Sequence, residues 1–169
     1  IIIDKIASFK GAKGRLEPVG KKQKVIFIDY AHTHDALEKT LKSIKIEYPN
    51  NRIITVFGCG GDRDIKKRAK MGEVSVRYSD KVYLTNDNPR TEDPKKIIND
   101  IVDGTKNSKK IKIILNREEA IKKAIVTADK KDVILIAGKG HENYQEINGV
   151  REAYSDHKVV SKILKDETL

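Results

Sequence analysis

The loop Thr85-Asn86-Asp87-Asn88-Pro89-Arg90 carries the residues best suited to recognise a small acid. Val82, Tyr83 and Leu84 run into it as a strand and a helix signal opens at Pro94, so the loop lies at a strand's carboxyl end. In open α/β sheets, ligands bind along that edge. Asp87 and Asn88 can turn the backbone and Pro89 stiffens it, which holds Arg90 outward. A guanidinium there can pair with a carboxylate through charge-assisted hydrogen bonds worth roughly 1.5–3 kcal/mol when shielded. An internal salt bridge from Arg90 to Glu92 or Asp93 is the structural alternative.

Three further loops leave strand ends with polar residues that packing does not require. Asp29-Tyr30-Ala31-His32-Thr33-His34-Asp35 precedes a helix whose free N–H groups favour anions, although Thr33 and Asp35 could simply cap that helix. Gly58-Cys59-Gly60-Gly61-Asp62-Arg63-Asp64 has glycines that allow close backbone approach, and it sets Arg63 near a helix start, where a lone cation is unfavourable. Asp62 and Asp64 could neutralise Arg63, or a ligand carboxylate could. Gly138-Lys139-Gly140-His141-Glu142-Asn143-Tyr144-Gln145 lacks the glycine spacing and the Ser or Thr of a phosphate-binding Walker loop. It also lacks the second histidine of a zinc helix, because position 145 is Gln. Glu142 is suited to accept a hydrogen bond from an amine. Together the loops offer two arginines, an Asn and a Glu, the groups that hold an amino acid by its carboxylates and ammonium.

The elements that must position these loops follow from periodicity. Apolar runs at Val25 to Ile28, Ile53 to Phe57, Val82 to Leu84, Ile111 to Leu115 and Val133 to Ala137 are continuous, as in strands covered on both faces. Leu37, Leu41, Ile44 and Tyr48 make a helical stripe behind a Thr33 cap. Asp93-Pro94 opens a second helix, with Ile97, Ile98, Ile101 and Val102 inward, and Gly104 ends it. Asn116 and Glu119 resemble a capping box ahead of Ala120, Ile121, Ala124, Ile125 and Ala128. Asp64 to Ser79 reads as a less regular helix containing Gly72. Tyr144 to Ile147, Asn148-Gly149 and Val150 to Ala153 read as a hairpin with a two-residue turn. Asp156 is placed to cap a last helix carrying Val159, Val160, Ile163 and Leu164. The predicted fold is α/β: a Rossmann-like, mostly parallel sheet of about six strands with helices on both faces and an antiparallel hairpin at the edge. Residues 1–20, broken by Gly11, Gly14, Pro18 and Gly20, read as a linker or the tail of a preceding domain, with the domain proper over 21–169.

Composition narrows the class. With 35 Lys and Arg against 25 Asp and Glu, the formal net charge is +10. The lysines are dispersed and aromatics make up only 5%, which argues against a nucleic-acid face. One cysteine, Cys59, rules out an internal disulfide and points to a reducing compartment. No apolar stretch reaches the roughly 20 residues that span a bilayer, and no secretory leader is read at the start. A cytoplasmic location, no membrane partner and a monomeric state are the expectations.

At these loops the chain resembles the C-terminal domain of the Mur ligases. Gly14-Arg15-Leu16-Glu17 is similar to the end of that family's central domain, and the motifs DYAHT, GCGGDRD, DNPR and GKGHE follow in the family's order. The resemblance implies an ATP-dependent ligase of peptidoglycan precursor synthesis. A carboxylate on a UDP-N-acetylmuramoyl dipeptide becomes an acyl phosphate, the amine of an incoming amino acid attacks it, and ADP and phosphate leave. It implies amino-acid binding by Arg63, Asp87, Asn88, Pro89, Arg90, Gly138 and Glu142, with DNPR selecting meso-diaminopimelate or a close analogue such as lanthionine. Tyr30, His32 and Thr33 are implied to lie against ATP. The catalytic residues, the metal ligands and most of the ATP and Mg2+ site belong to the family's central domain, so this segment alone is expected to be inactive. His34 stands where the family usually has proline. A stand-alone amino-acid or nucleotide binding module of the same fold is the alternative.

Overall fold

The computed structural model describes residues 12–20 and 24–166. The reading of residues 1–11, including the break at Gly11, and the exact start of the domain near residue 21 lie outside these. Among the described residues, no helix is long and apolar enough to cross a membrane.

Five parallel strands carry the molecule: β2 (Val25–Asp29), β3 (Ile53–Phe57), β4 (Lys81–Leu84), β5 (Ile111–Ile113) and β6 (Val133–Ala137). With β1 (Glu17–Pro18) antiparallel at one edge, the sheet order is β1-β2-β6-β3-β4-β5. Every residue of β3 and β6 is buried, as their uninterrupted apolar runs require. Side chains alternate between two cores, so Ile53, Phe57, Val133 and Leu135 face one and Ile54, Val56, Ile134 and Ile136 the other. On the first pack α1 (His34–Glu47), α2 (Lys66–Tyr78) and α3 (Pro94–Val102); on the second, α4 (Arg117–Val126) and α5 (Asp156–Asp166).

The caps follow local chemistry. Thr33 accepts from Ala36 N, Asp93 from Lys95 N and Asn116 from Glu119 N, each satisfying an otherwise orphaned N–H. His34 takes the first position of α1. Gly72 sits inside α2 because the chain of Ile101 crosses there: a Cβ would lie 2.1 Å from the Ile101 carbonyl oxygen.

Two expectations change in detail. β5 is an edge strand with Lys112 and Ile113 exposed, so its apolar run does not signal cover on both faces. The hairpin β7 (Tyr144–Ile147) and β8 (Val150–Ala153) is a two-stranded sheet of its own. Its turn has positive φ at Asn148 (50°) and Gly149 (75°), the conformation Asn-Gly favours. The antiparallel strand at the edge of the main sheet comes instead from the Gly- and Pro-broken lead. β1 pairs with β2, Leu16 N donates to the Asp29 carboxylate (2.6 Å), and Glu17 meets His157 Nε2 at 2.9 Å.

Two buried arginines and their acid partners fix the loops at the carboxyl ends. Arg117 and Asp156 are both fully buried and joined by two bonds of 2.9 and 2.8 Å. Arg117 also donates to Ala137 O (3.0 Å) and Asn86 O (3.4 Å), so one guanidinium ties the end of β6 to the loop after β4. Burial disfavours its charge, but Asp156 more than offsets this and the group stays protonated. Asp156 is thus the counter-ion of Arg117; it stands within the first turn of the last helix, and its carboxylate serves Arg117 in place of the expected cap. Near the other end of the edge, Arg68 is fully buried and donates to Glu92 (2.9 and 2.8 Å), Asp100 (2.8 Å) and Gly60 O (3.1 Å).

Arg117→Met should leave the Asp156 charge buried without a partner and cost about 3–5 kcal/mol in urea unfolding, whereas adding Asp156→Leu should recover most of that loss. The Arg68 hydrogen bonds hold the Glu92 carboxyl at about 2, below its ordinary 4.5. Stability from this group is therefore complete above about pH 4.5 and lost as pH falls toward 2, since the unfolded chain takes up the proton first. Glu92→Gln should flatten that part of a stability–pH profile.

Candidate functional site

Because β2, β6, β3 and β4 are neighbours and parallel, their four outgoing loops lie side by side. They enclose a pocket of about 490 Å³. Nine of the ten residues expected at the site line it: Tyr30, His32 and Thr33 from the first loop, Arg63 from the second, Asp87, Asn88 and Arg90 from the third, and Gly138 and Glu142 from the fourth. Pro89 does not. Its carbonyl accepts from Glu92 N (3.1 Å) and packs on Gly61, so it shapes the loop from behind.

The cations fall into two groups. Arg63 is exposed, and among the described residues no hydrogen bond or ion pair engages it. The acids beside it have other tasks: Asp62 accepts from Thr91 N and Oγ1 (3.2 and 2.9 Å), and Asp64 from Lys66 N (2.9 Å). The internal partners proposed for Arg90 are likewise taken, Glu92 by Arg68 and Asp93 by the α3 cap. Arg90 instead donates through Nη1 to Gly61 O (2.7 Å), and its Nε lies 3.9 Å from Glu146. Its backbone is left-handed, with φ 52°. The hairpin holds it there through Arg90 N to Glu146 O (3.0 Å) and Asn148 N to Arg90 O (2.7 Å). That conformation is uncommon for a residue with a Cβ.

The acids and amides interlock. Gly138 has φ 112°, and a Cβ there would sit 2.6 Å from Asp87 Oδ2; only glycine lets the two loops meet. Among the described residues, none donates a hydrogen bond to the Asp87 carboxylate. Glu142 Oε2 accepts from Asn88 Nδ2 (3.0 Å) and lies 3.3 Å from Lys139 Nζ. Lys139 is a residue the sequence reading passed over as part of a failed Walker loop. It is fully buried and also donates to Asn88 Oδ1 and Tyr144 O, both at 2.8 Å. Burial pulls its ammonium below the usual lysine range, with Asp87 and Glu142 opposing the shift. Tyr144, part of the fourth loop but given no role from sequence, lines the pocket. At the rim, the Tyr30 ring meets His32 at 4.7 Å and His141 at 5.3 Å between centroids. Cys59 lines the pocket too, but burial pushes its thiol up to about 12, which makes it a poor nucleophile.

A concave, polar site with two arginines, the carboxylates of Asp87 and Glu142 and an aromatic rim suits a zwitterion carrying extra carboxylate. The sequence model of the Mur ligase, glutamate ligase domain matches residues 14–140. A UDP-N-acetylmuramoyl-L-alanyl-D-glutamate–2,6-diaminopimelate ligase from Buchnera aphidicola subsp. Baizongia pistaciae is 50% identical over 157 residues, covering 92% of this chain and 31% of the relative. Its counterpart from Prochlorococcus marinus subsp. pastoris is 45% identical over 170 aligned residues, covering 96% and 33%. A solved structure of a ligase of the same name superposes with a TM-score of 0.88 at 41% identity, covering 99% of this chain and 34% of that one. The chain thus spans about a third of the length of the curated relatives it matches. On the family match, the shared motifs and the common fold, the chain belongs to the Mur ligase family through its glutamate ligase domain.

Proposed function

We propose that this chain is the amino-acid-binding domain of an ATP-dependent ligase that adds meso-diaminopimelate to UDP-N-acetylmuramoyl-L-alanyl-D-glutamate, working in the cytoplasm on peptidoglycan precursors. The observation that carries the proposal is the pairing state of two arginines in one pocket. Arg63 has no partner among the described residues, and Arg90 meets Glu146 only at 3.9 Å. A ligand carboxylate would complete both. Diaminopimelate differs from lysine by a carboxylate at its far end, which lysine cannot offer to an arginine. The names of the relatives at 45–50% identity support this substrate.

In this reading Arg63, Arg90 and Asn88 hold the distal carboxylate, and Asp87 and Glu142 accept from the distal ammonium. The other amine is left toward the open mouth of the pocket, where it can attack an acyl phosphate. Holding the nucleophile in line is the domain's contribution to rate. Tyr30, His32 and Thr33 would lie against the nucleotide, the rings offering a stacking face. The described residues do not fit a Mg2+ site: no group of three or more His, Cys, Asp or Glu side chains is suited to a metal ion, and Glu142 is already engaged by Lys139 and Asn88. We place Mg2+ and the phosphates on the portion of the protein outside this chain.

Arg90→Ala in the full-length ligase should reduce the preference for diaminopimelate over lysine, measured as the ratio of kcat/KM values, by roughly 10- to 100-fold, the value of one shielded charge-assisted contact. An unchanged ratio would remove Arg90 from specificity.

A further inference from the structure

Lys139 has no room for a ligand. Its three N–H bonds point at Asn88 Oδ1 (2.8 Å), Tyr144 O (2.8 Å) and Glu142 Oε2 (3.3 Å), and an ammonium has no acceptor to offer. The group therefore constrains its neighbours. The oxygen of the Asn88 amide must face Lys139, because the opposite rotamer would set an NH2 against an NH3+. Glu146 N, at 3.0 Å from the same oxygen, imposes the same orientation. Both lone pairs of Oδ1 are then occupied. The amide nitrogen is turned to Glu142 Oε2 (3.0 Å), with its second N–H unassigned, in a residue that lines the pocket and is 2% exposed.

From this geometry we infer that Lys139 is a positioning residue for amino-acid binding, which locks Asn88 as a hydrogen-bond donor toward the ligand and so makes this part of the pocket read a carboxylate oxygen. Without Lys139 the amide oxygen is held inward by Glu146 N alone, and Glu142 loses the cation that offsets its charge. Glu142 Oε1, which takes no part in the Lys139 and Asn88 contacts, stays available for the ligand ammonium. A donor from Asn88 beside an acceptor from Glu142 matches the carboxylate and ammonium of one α-amino-acid end. The inference rests on the amino-acid-binding reading above and adds to it the polarity of each contact.

The test uses the full-length enzyme and steady-state kinetics with each substrate varied in turn. Lys139→Met, which keeps the buried volume, should raise KM for meso-diaminopimelate roughly 10- to 100-fold, as for loss of a contact to a charged group, while KM for ATP and for the UDP-sugar peptide changes less than about twofold. Unchanged KM for the amino acid, or a parallel rise in all three KM values, would overturn the inference. Should Lys139→Met lose its thermal unfolding transition, Asn88→Asp decides, since it keeps Lys139 paired but puts acceptor-only oxygens toward the ligand. A comparable selective rise in KM supports the donor assignment, and a retained or lowered KM overturns it. A wild-type enzyme that rejects diaminopimelate but accepts another amino acid overturns the substrate assignment alone, and the same variants assayed with that amino acid then decide the role of Lys139.

Discussion

A parallel sheet leaves its strand ends open, and something must tie the loops together before they can form a pocket. Here that task falls to the buried Arg117–Asp156 pair. Two charges withdrawn from water tolerate little displacement, because their attraction offsets the desolvation only when the geometry is good and the remaining hydrogen bonds are satisfied. Arg117 therefore fixes Ala137 O and Asn86 O relative to Asp156 on the last helix. The loops that contain Asp87, Asn88, Gly138 and Glu142 spring from those anchored points. The floor of the site is thus held by a guanidinium that never faces a ligand.

Above that floor, cations are sorted by whether their acids are supplied internally. Arg68 and Arg117 are fully buried and each is paired with internal carboxylates. Arg63 and Arg90 line the pocket with carboxylate contacts missing or long. Lys139 lies between these groups, fully buried and saturated with hydrogen bonds, two of them to the pocket-lining Asn88 and Glu142. The net charge of +10 is spread widely, so it is this local sorting, and not the total, that leaves two arginines on the pocket wall short of a carboxylate partner.

Strands, helices and the edge that would bear the site were legible because they rest on local signals. Apolar runs of strand length, a 3.6-residue stripe such as Leu37-Leu41-Ile44, and caps such as Thr33, Asp93 and Asn116 need no distant partner to be read. What escaped depends on partners far apart in the chain. Arg117 and Asp156 are 39 residues apart, and nothing local in either marks a buried pair. Glu92 read as a neighbour for Arg90 by proximity, but Arg68, 24 residues away, takes it. Lys139 was hidden by type, since lysine is seldom fully buried. Glu17–Pro18 was hidden by its setting in a turn-rich stretch, where only pairing with β2 makes it a strand.

The left-handed backbone at Arg90, clamped by Glu146 O and Asn148 N, has an evolutionary corollary. Residues branched at Cβ are poorly tolerated in that region, while Asn, Asp and glycine are accommodated more readily. Drift at position 90 is thereby channelled: valine, isoleucine and threonine are disfavoured by the main chain before any side-chain preference is consulted. A lineage seeking an apolar reader at this spot would have to rebuild the hairpin that sets the torsion. Change in the β7–β8 turn and change at residue 90 should then be coupled across descendants, even though the turn contributes no group to the pocket itself.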